Sequence, residues 1–244
     1  MVSTALFYAA AIIALAPTLV LMYVLLRKYT YPYTERPYFS DPTFFLLFAV
    51  GLVAGVVMFL VYSYVAGNII AIIVYSLIQV MLVVVIMNLK RFRGKSDSVF
   101  YGLGFGLGAG GSTATGFIYY ISSSADVLDG SIDAAGWILL FALGIAMIFQ
   151  YSSVGTTVGE GIARHAPMQF AVQAMIYNVV FWVVFTIMLM NSDRAGIMYI
   201  MAAAVLAISV FYLRYAYFKE IGDIADEVDR QNNTVGKRHR PKLK

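Results

Sequence analysis

The run Ser98–Ser122, SVFYGLGFGLGAGGSTATGFIYYIS, decides how this chain is read. It carries no charge, and it is long enough to cross a bilayer as a helix, which takes about 20 residues. Glycines stand at positions 102, 104, 106, 108, 110, 111 and 116. In water each of them would cost a helix about 1 kcal/mol relative to alanine. In lipid the backbone has no water to bond, so a lone span must be helical whatever its propensity. At about 100° per residue, Gly102, Gly106 and Gly110 form one stripe, and Gly104, Gly108 and Gly111 form roughly the opposite one. Small residues let helix backbones approach closely in membranes. The run therefore reads as a central helix with close neighbours on both sides. Gly106, Gly108 and Gly111 also spell G-x-G-x-x-G, but no strand precedes them, so this is not a dinucleotide site.

The bulk composition sets the class. The 244 residues are 61% hydrophobic and 12% charged, with a mean hydropathy of +0.80. A soluble domain carries about 25% charged residues. The expectation is an all-α, polytopic membrane bundle. There is no cysteine, which excludes a disulfide framework, a thiolate metal site and a cysteine nucleophile. The first apolar stretch lacks a basic leader and ends at Arg27-Lys28, so it reads as a retained span rather than a cleaved signal.

Seven apolar runs are long enough to span, at about 3–26, 43–66, 68–89, 98–122, 135–157, 168–190 and 195–217. Charge alternates between their connections. Arg27, Lys28 and Arg36 follow the first run, and Lys90, Arg91, Arg93 and Lys95 follow the third. The connection after the fourth has Asp126, Asp129 and Asp133 and no Lys or Arg. Arg164 and His165 follow the fifth, and Arg214 ends the seventh. Of the 17 Lys and Arg, Arg194 alone falls on the other side. The positive-inside rule then puts the N-terminus outside and the C-terminus in the cytoplasm. The expected location is a cell membrane, specifically a prokaryotic plasma membrane. Residues 219–244 form a charged cytoplasmic tail whose basic end reads as a positive-inside flank, with no aromatic residue to suggest nucleic acid.

Function in a membrane bundle shows in its intramembrane polar groups. No Asp, Glu, Lys, Arg or His lies at the centre of any run. A retinal-type pump would need a lysine in the last span, and a serine peptidase would need an intramembrane histidine beside Ser112. The only histidines, His165 and His239, lie outside the runs. What remains is neutral. The candidate polar core is Gln79, Ser112, Thr113, Thr115, Gln150, Ser153, Thr157, Gln173 and Asn178, all in the third to sixth spans. The first, second and seventh spans are nearly pure hydrocarbon and read as lipid-facing. Glu160, at the end of the fifth, reads as solvated. Interhelical hydrogen bonding, worth about 0.6 kcal/mol per contact, and a solvated cavity are both compatible with this pattern.

The order of features over 75–180 resembles the PrsW/YhfC type of intramembrane peptidases. The matching elements are the basic loop KRFRGKSDS, Tyr101-Gly102, Gly106-Leu107-Gly108, the glycines from Gly155 to Gly161, and Tyr177-Asn178. The resemblance covers less than half of the chain. It implies paired glutamates, a Glu-Asn pair and two histidines, groups that bind metal or activate water. This chain has Gln79-Val80 and Thr113-Ala114 at the acidic positions, and Gln150 or Tyr151 and then Ala174 at the histidine positions. Only Asn178 matches. The resemblance therefore implies a bundle built like a peptidase without its catalytic residues, with no cofactor or metal. Its partners would be the lipid bilayer and another membrane protein or a second copy, and not nucleic acid. The other expectation is a channel or small-solute transporter with a polar path among spans three to six.

Overall fold

The computed structural model describes residues 4–34, 38–127 and 132–238. The last six residues of the basic tail, Arg36 and Asp129 lie outside the described residues. Every described element is helical. The order is α1 (Thr4–Leu26), α2 (Asp41–Val65), α3 (Ile69–Met87), α4 (Ser98–Val127), α5 (Ala134–Ala163), α6 (Pro167–Met190) and α7 (Ala195–Tyr215). A π-helical turn, Ala216–Ile221, then leads into α8 (Gly222–Arg238). Six helical stretches are long and apolar enough to cross a membrane, the last of them beginning at Ala195. The chain is a multi-pass membrane protein. The long helix outside that set is α4, whose glycines, serines and threonines dilute its hydrocarbon.

Local sequence explains where helices begin. Asn68 caps α3, its side chain accepting from the N–H groups of Ile70 (3.0 Å) and Ala71 (3.2 Å). Before it, Gly67 turns the chain at φ +92°, a conformation that glycine adopts without strain. Asp133 caps α5 through Gly136 N–H at 2.8 Å. Pro167 opens α6, where a missing N–H costs nothing.

The glycine-rich helix sits at the centre. Residues 98–114 of α4 are buried without interruption. A Cβ on Gly102 would collide with the carbonyl oxygen of Gly155, and one on Gly106 with that of Tyr151, both on α5. On the other face a Cβ on Gly104 would lie 2.8 Å from the ring of Phe44, and one on Gly108 would strike Phe48 O, both on α2. A Cβ on Gly110 would lie 2.8 Å from Ile148 Cα, and one on Gly111 would lie 2.7 Å from Thr18 Oγ1 of α1. Helix α2 answers with glycines of its own, Gly51 against Phe105 O and Gly55 against Ala109 O. The packing thus depends on backbone meeting backbone on two faces of one helix.

Two details depart from the sequence reading. Helix α2 is a main packing partner of α4 rather than a purely lipid-facing span. Its apolar composition hides this, because Gly51, Ala54 and Gly55 make the contact and they are small rather than polar. Helix α5 runs on to Ala163, past the expected end at 157. It carries Glu160 inside, at 5% exposure, where the sequence suggested a solvated acid.

One end of the bundle gathers the basic connections. Arg91 donates to Thr43 at 2.8 Å, and Ser40 N–H donates to the Tyr101 hydroxyl at 3.1 Å. Gly94 N–H donates to Ile162 O at 3.1 Å, tying the α3–α4 loop to the end of α5. Helix α8 is fastened to the same end by Tyr38 OH, which donates to Asp229 at 2.8 Å, and by Arg164, 3.1 Å from Glu227.

Candidate functional site

The structure divides the polar residues into two buried clusters and a remainder. The first cluster joins α3, α5 and α6. Asn178 Nδ2 donates to Ser76 O at 2.9 Å and to Gln79 Oε1 at 3.0 Å. Gln79 Nε2 donates to the Tyr151 hydroxyl at 2.5 Å, and Gln150 Nε2 to Asn178 Oδ1 at 3.4 Å. Gln79, Gln150 and Asn178 are all nearly inaccessible. Thr113 donates to Gly55 O at 3.1 Å, bonding α4 to α2 beside this cluster. Trp182 lies against the rings of Tyr62 (5.0 Å) and Tyr75 (5.3 Å), and Tyr75 donates to Met58 O at 2.8 Å. Gln150 Oε1 and Trp182 Nε1 are buried without a hydrogen-bond partner among the described residues.

The second cluster lies where α7 becomes the π-helical turn. Tyr212 OH donates to Thr157 Oγ1 at 2.9 Å. Thr157 Oγ1 lies 2.9 Å from both carboxylate oxygens of Glu220 and shares its one hydrogen between them. Glu220 is 2% exposed. The ring of Tyr177 stacks on Tyr212 with centroids 4.2 Å apart. The extra residue of a π turn is a frequent feature of functional sites, and here the turn carries the carboxylate inward onto α5. Glu160 is within electrostatic reach of Glu220 and is held by Arg164 at 2.6 Å.

The other candidates are placed elsewhere. Ser112, Thr115 and Ser153 each donate to the carbonyl four residues before, at 3.0, 2.9 and 2.7 Å, and so are satisfied within their own helices. Ser112 and Thr115 also line an apolar groove of about 390 Å³ among α1, α2 and α4. Gln173 is half-buried and joins neither cluster. Among the described residues, no group of three or more His, Asp or Glu is placed to hold a metal ion.

The sequence reading missed Glu220 and Tyr212. A signal was present: Tyr212, Ala216 and Glu220 stand at i, i+4 and i+8, and all three are buried. It was hidden because the apolar run ends before the acid. Tyr151, named only as an alternative to Gln150 at a histidine position, falls outside the candidate polar core because a tyrosine in a span looks like hydrocarbon until its hydroxyl finds an amide. Comparison with protein-family models, with characterised proteins and with solved structures finds no match.

Proposed function

We propose that this chain is a seven-span membrane protein that binds a membrane component without hydrolysing it, built like the intramembrane peptidases it resembles. The observation that supports this is the hydrogen bonding among Gln79, Tyr151 and Asn178. Gln79, Tyr151, Gln150 and Thr113 stand where the resemblance would put acids and histidines, and they bond one another or the backbone. Amides and hydroxyls so engaged supply neither a base for water nor a ligand set for a divalent cation. They do make a fixed interior on which outer surfaces can be presented. Helix α4 counts as the seventh crossing because it lies between α2 and α5, both long apolar helices. In the proposed topology the basic connections lie on the cytoplasmic side, with the N-terminus outside and the tail in the cytoplasm of a prokaryotic plasma membrane. The bound component is a lipid, a second copy or another membrane protein.

Native mass spectrometry of detergent-purified protein tests this reading, with elemental analysis of the same sample. A retained stoichiometric lipid or protein is the expected result. Stoichiometric zinc, or peptide hydrolysis lost in Gln79→Leu, would overturn it.

A second reading is a channel or small-solute transporter with a polar path through α3–α6. It is favoured by the unpaired Gln150 Oε1 within the first cluster. Solute flux in reconstituted liposomes, abolished by Gln79→Leu or Gln150→Leu, would select it over the first.

A further inference from the structure

At the basic end, the α3–α4 loop and the α5–α6 loop meet around a pocket of about 220 Å³. Its walls are Asn88, Arg93, Ile162, His165 and Pro167. That volume is below the range of about 300–1,000 Å³ for whole small-molecule ligands. It suits a single small group, and its polar side chains say which kind.

Arg93 is aimed rather than free-floating. Its Nε donates to Asn88 Oδ1 at 3.0 Å, which holds the plane of the guanidinium. Among the described residues no carboxylate pairs with it. Its terminal nitrogens remain as a fork of parallel donors, the geometry that matches two oxygens of one phosphate.

His165 is placed by an unusual helix ending. Ala166 N–H donates to Gly161 O at 2.8 Å and His165 N–H to Ile162 O at 3.4 Å. This is the Schellman pattern, which requires a left-handed residue at the position His165 holds. Glycine usually fills it; here His165 does, at φ +58°. A side chain kept in a conformation that glycine would adopt without strain is a pointer to function. The imidazole stands over Gly94, where any Cβ would collide with it. Gly94 has φ +71°, and its N–H occupies Ile162 O at the end of α5. The two loops thus fix each other and bring an imidazole and a guanidinium to one pocket.

We propose that this pocket binds a phosphate group, gripped by the Arg93 fork with an N–H from His165. The phosphate belongs either to a lipid headgroup at the membrane surface or to a free phosphate-bearing solute. The pocket shares no residue with the buried clusters, so the proposal does not depend on the function assigned above.

The test uses the full chain in nanodiscs and has two arms. In the first, inorganic phosphate is titrated calorimetrically into nanodiscs of neutral, phosphate-free glycolipid. In the second, native mass spectrometry scores retention of phosphatidylglycerol against that glycolipid. Wild type is compared with Arg93→Gln, His165→Gln and Lys95→Gln, each checked for an unchanged thermal melt. Saturable phosphate binding, weakened about 10-fold or more by Arg93→Gln and His165→Gln but not by Lys95→Gln, supports the proposal with a free phosphate as ligand. Selective phospholipid retention with the same variant pattern, and no response to inorganic phosphate, supports it with a headgroup as ligand. Equal losses in Lys95→Gln and Arg93→Gln would mean a diffuse basic field and overturn it, as would no phosphate preference in either arm.

Discussion

Gly102 of α4 and Gly155 of α5 meet backbone to backbone, and a Cβ added to either collides with the carbonyl oxygen of the other. The contact is reciprocal, so relief would require the two helices to separate along their length. Lipid gives helices no hydrophobic drive to associate, and close backbone approach supplies dispersion in its place. Gly102→Leu and Gly155→Leu should therefore each destabilise the bundle towards the upper end of the 1–3 kcal/mol typical of overpacking, or about that. Thermal denaturation in detergent checks this. Gly196→Ala, at a glycine with open space around it, should leave the melt unchanged or raise it slightly.

Asn178 is the hub of the first buried cluster, bonded to Ser76 O, Gln79 and Gln150. Asn178→Leu leaves several buried polar groups without partners and should cost about 1–3 kcal/mol. Gln79→Leu should cost less, about 1 kcal/mol, in the range of intramembrane hydrogen bonds. Because the two residues share a bond, the double variant should be less destabilised than the sum of the singles. Simple additivity in thermal melts would mean that the cluster does not act as a unit.

Helix α8 is held to the bundle by Tyr38 on Asp229 and Arg164 on Glu227. The Tyr38 phenol is pushed up to about 12 by burial, with the Asp229 carboxylate adding to it, so it remains a donor at neutral pH. Glu227 is half exposed, which limits its pair with Arg164 to about 0–1 kcal/mol. Tyr38→Phe together with Glu227→Gln should hardly move the global melt while speeding amide exchange in residues 222–230. Exchange unchanged from wild type would show that the π-helical turn and the buried Ile224 and Ala225 fix α8 without these polar contacts.

Much of this architecture is legible in the sequence, and the exceptions have physical reasons. The glycine spacing in 102–110 points to a helix with neighbours on two faces because helical periodicity is a geometric property of the chain. The identity of one neighbour, α2, is hidden because Gly51 and Gly55 carry no polarity to distinguish them among apolar residues. Gln79, Gln150 and Asn178 stand out as polar residues within apolar runs, whereas Ser112, Thr115 and Ser153 stand out equally but bond their own helices. A hydroxyl can be satisfied locally and a primary amide much less easily, so the amides were the better signal. Glu220 lies past the apolar run, and its burial depends on a π-helical turn that no hydropathy pattern encodes.

Thr157 is the only hydrogen-bond donor to Glu220 among the described side chains, and Tyr212 supports Thr157 from behind. A buried acid left without its hydrogen-bond partner is costly, about 1–3 kcal/mol for an unsatisfied buried polar group. Thr157→Val keeps the shape and removes the donor, so it should cost about that amount. Glu220→Gln, which replaces the carboxylate by an amide of the same shape, should be nearly neutral in the wild-type background. At alkaline pH, where the buried acid is ionised, it should recover most of the loss in the Thr157→Val background, because the group left unpaired is then uncharged. Tyr212→Phe should cost less than Thr157→Val, since Thr157 still bonds Glu220 without it. The measurement is a set of thermal or denaturant melts of wild type and these four variants in one detergent. If Thr157→Val is as stable as wild type, Glu220 is not held by this hydroxyl chain, and the second cluster is only an accident of packing.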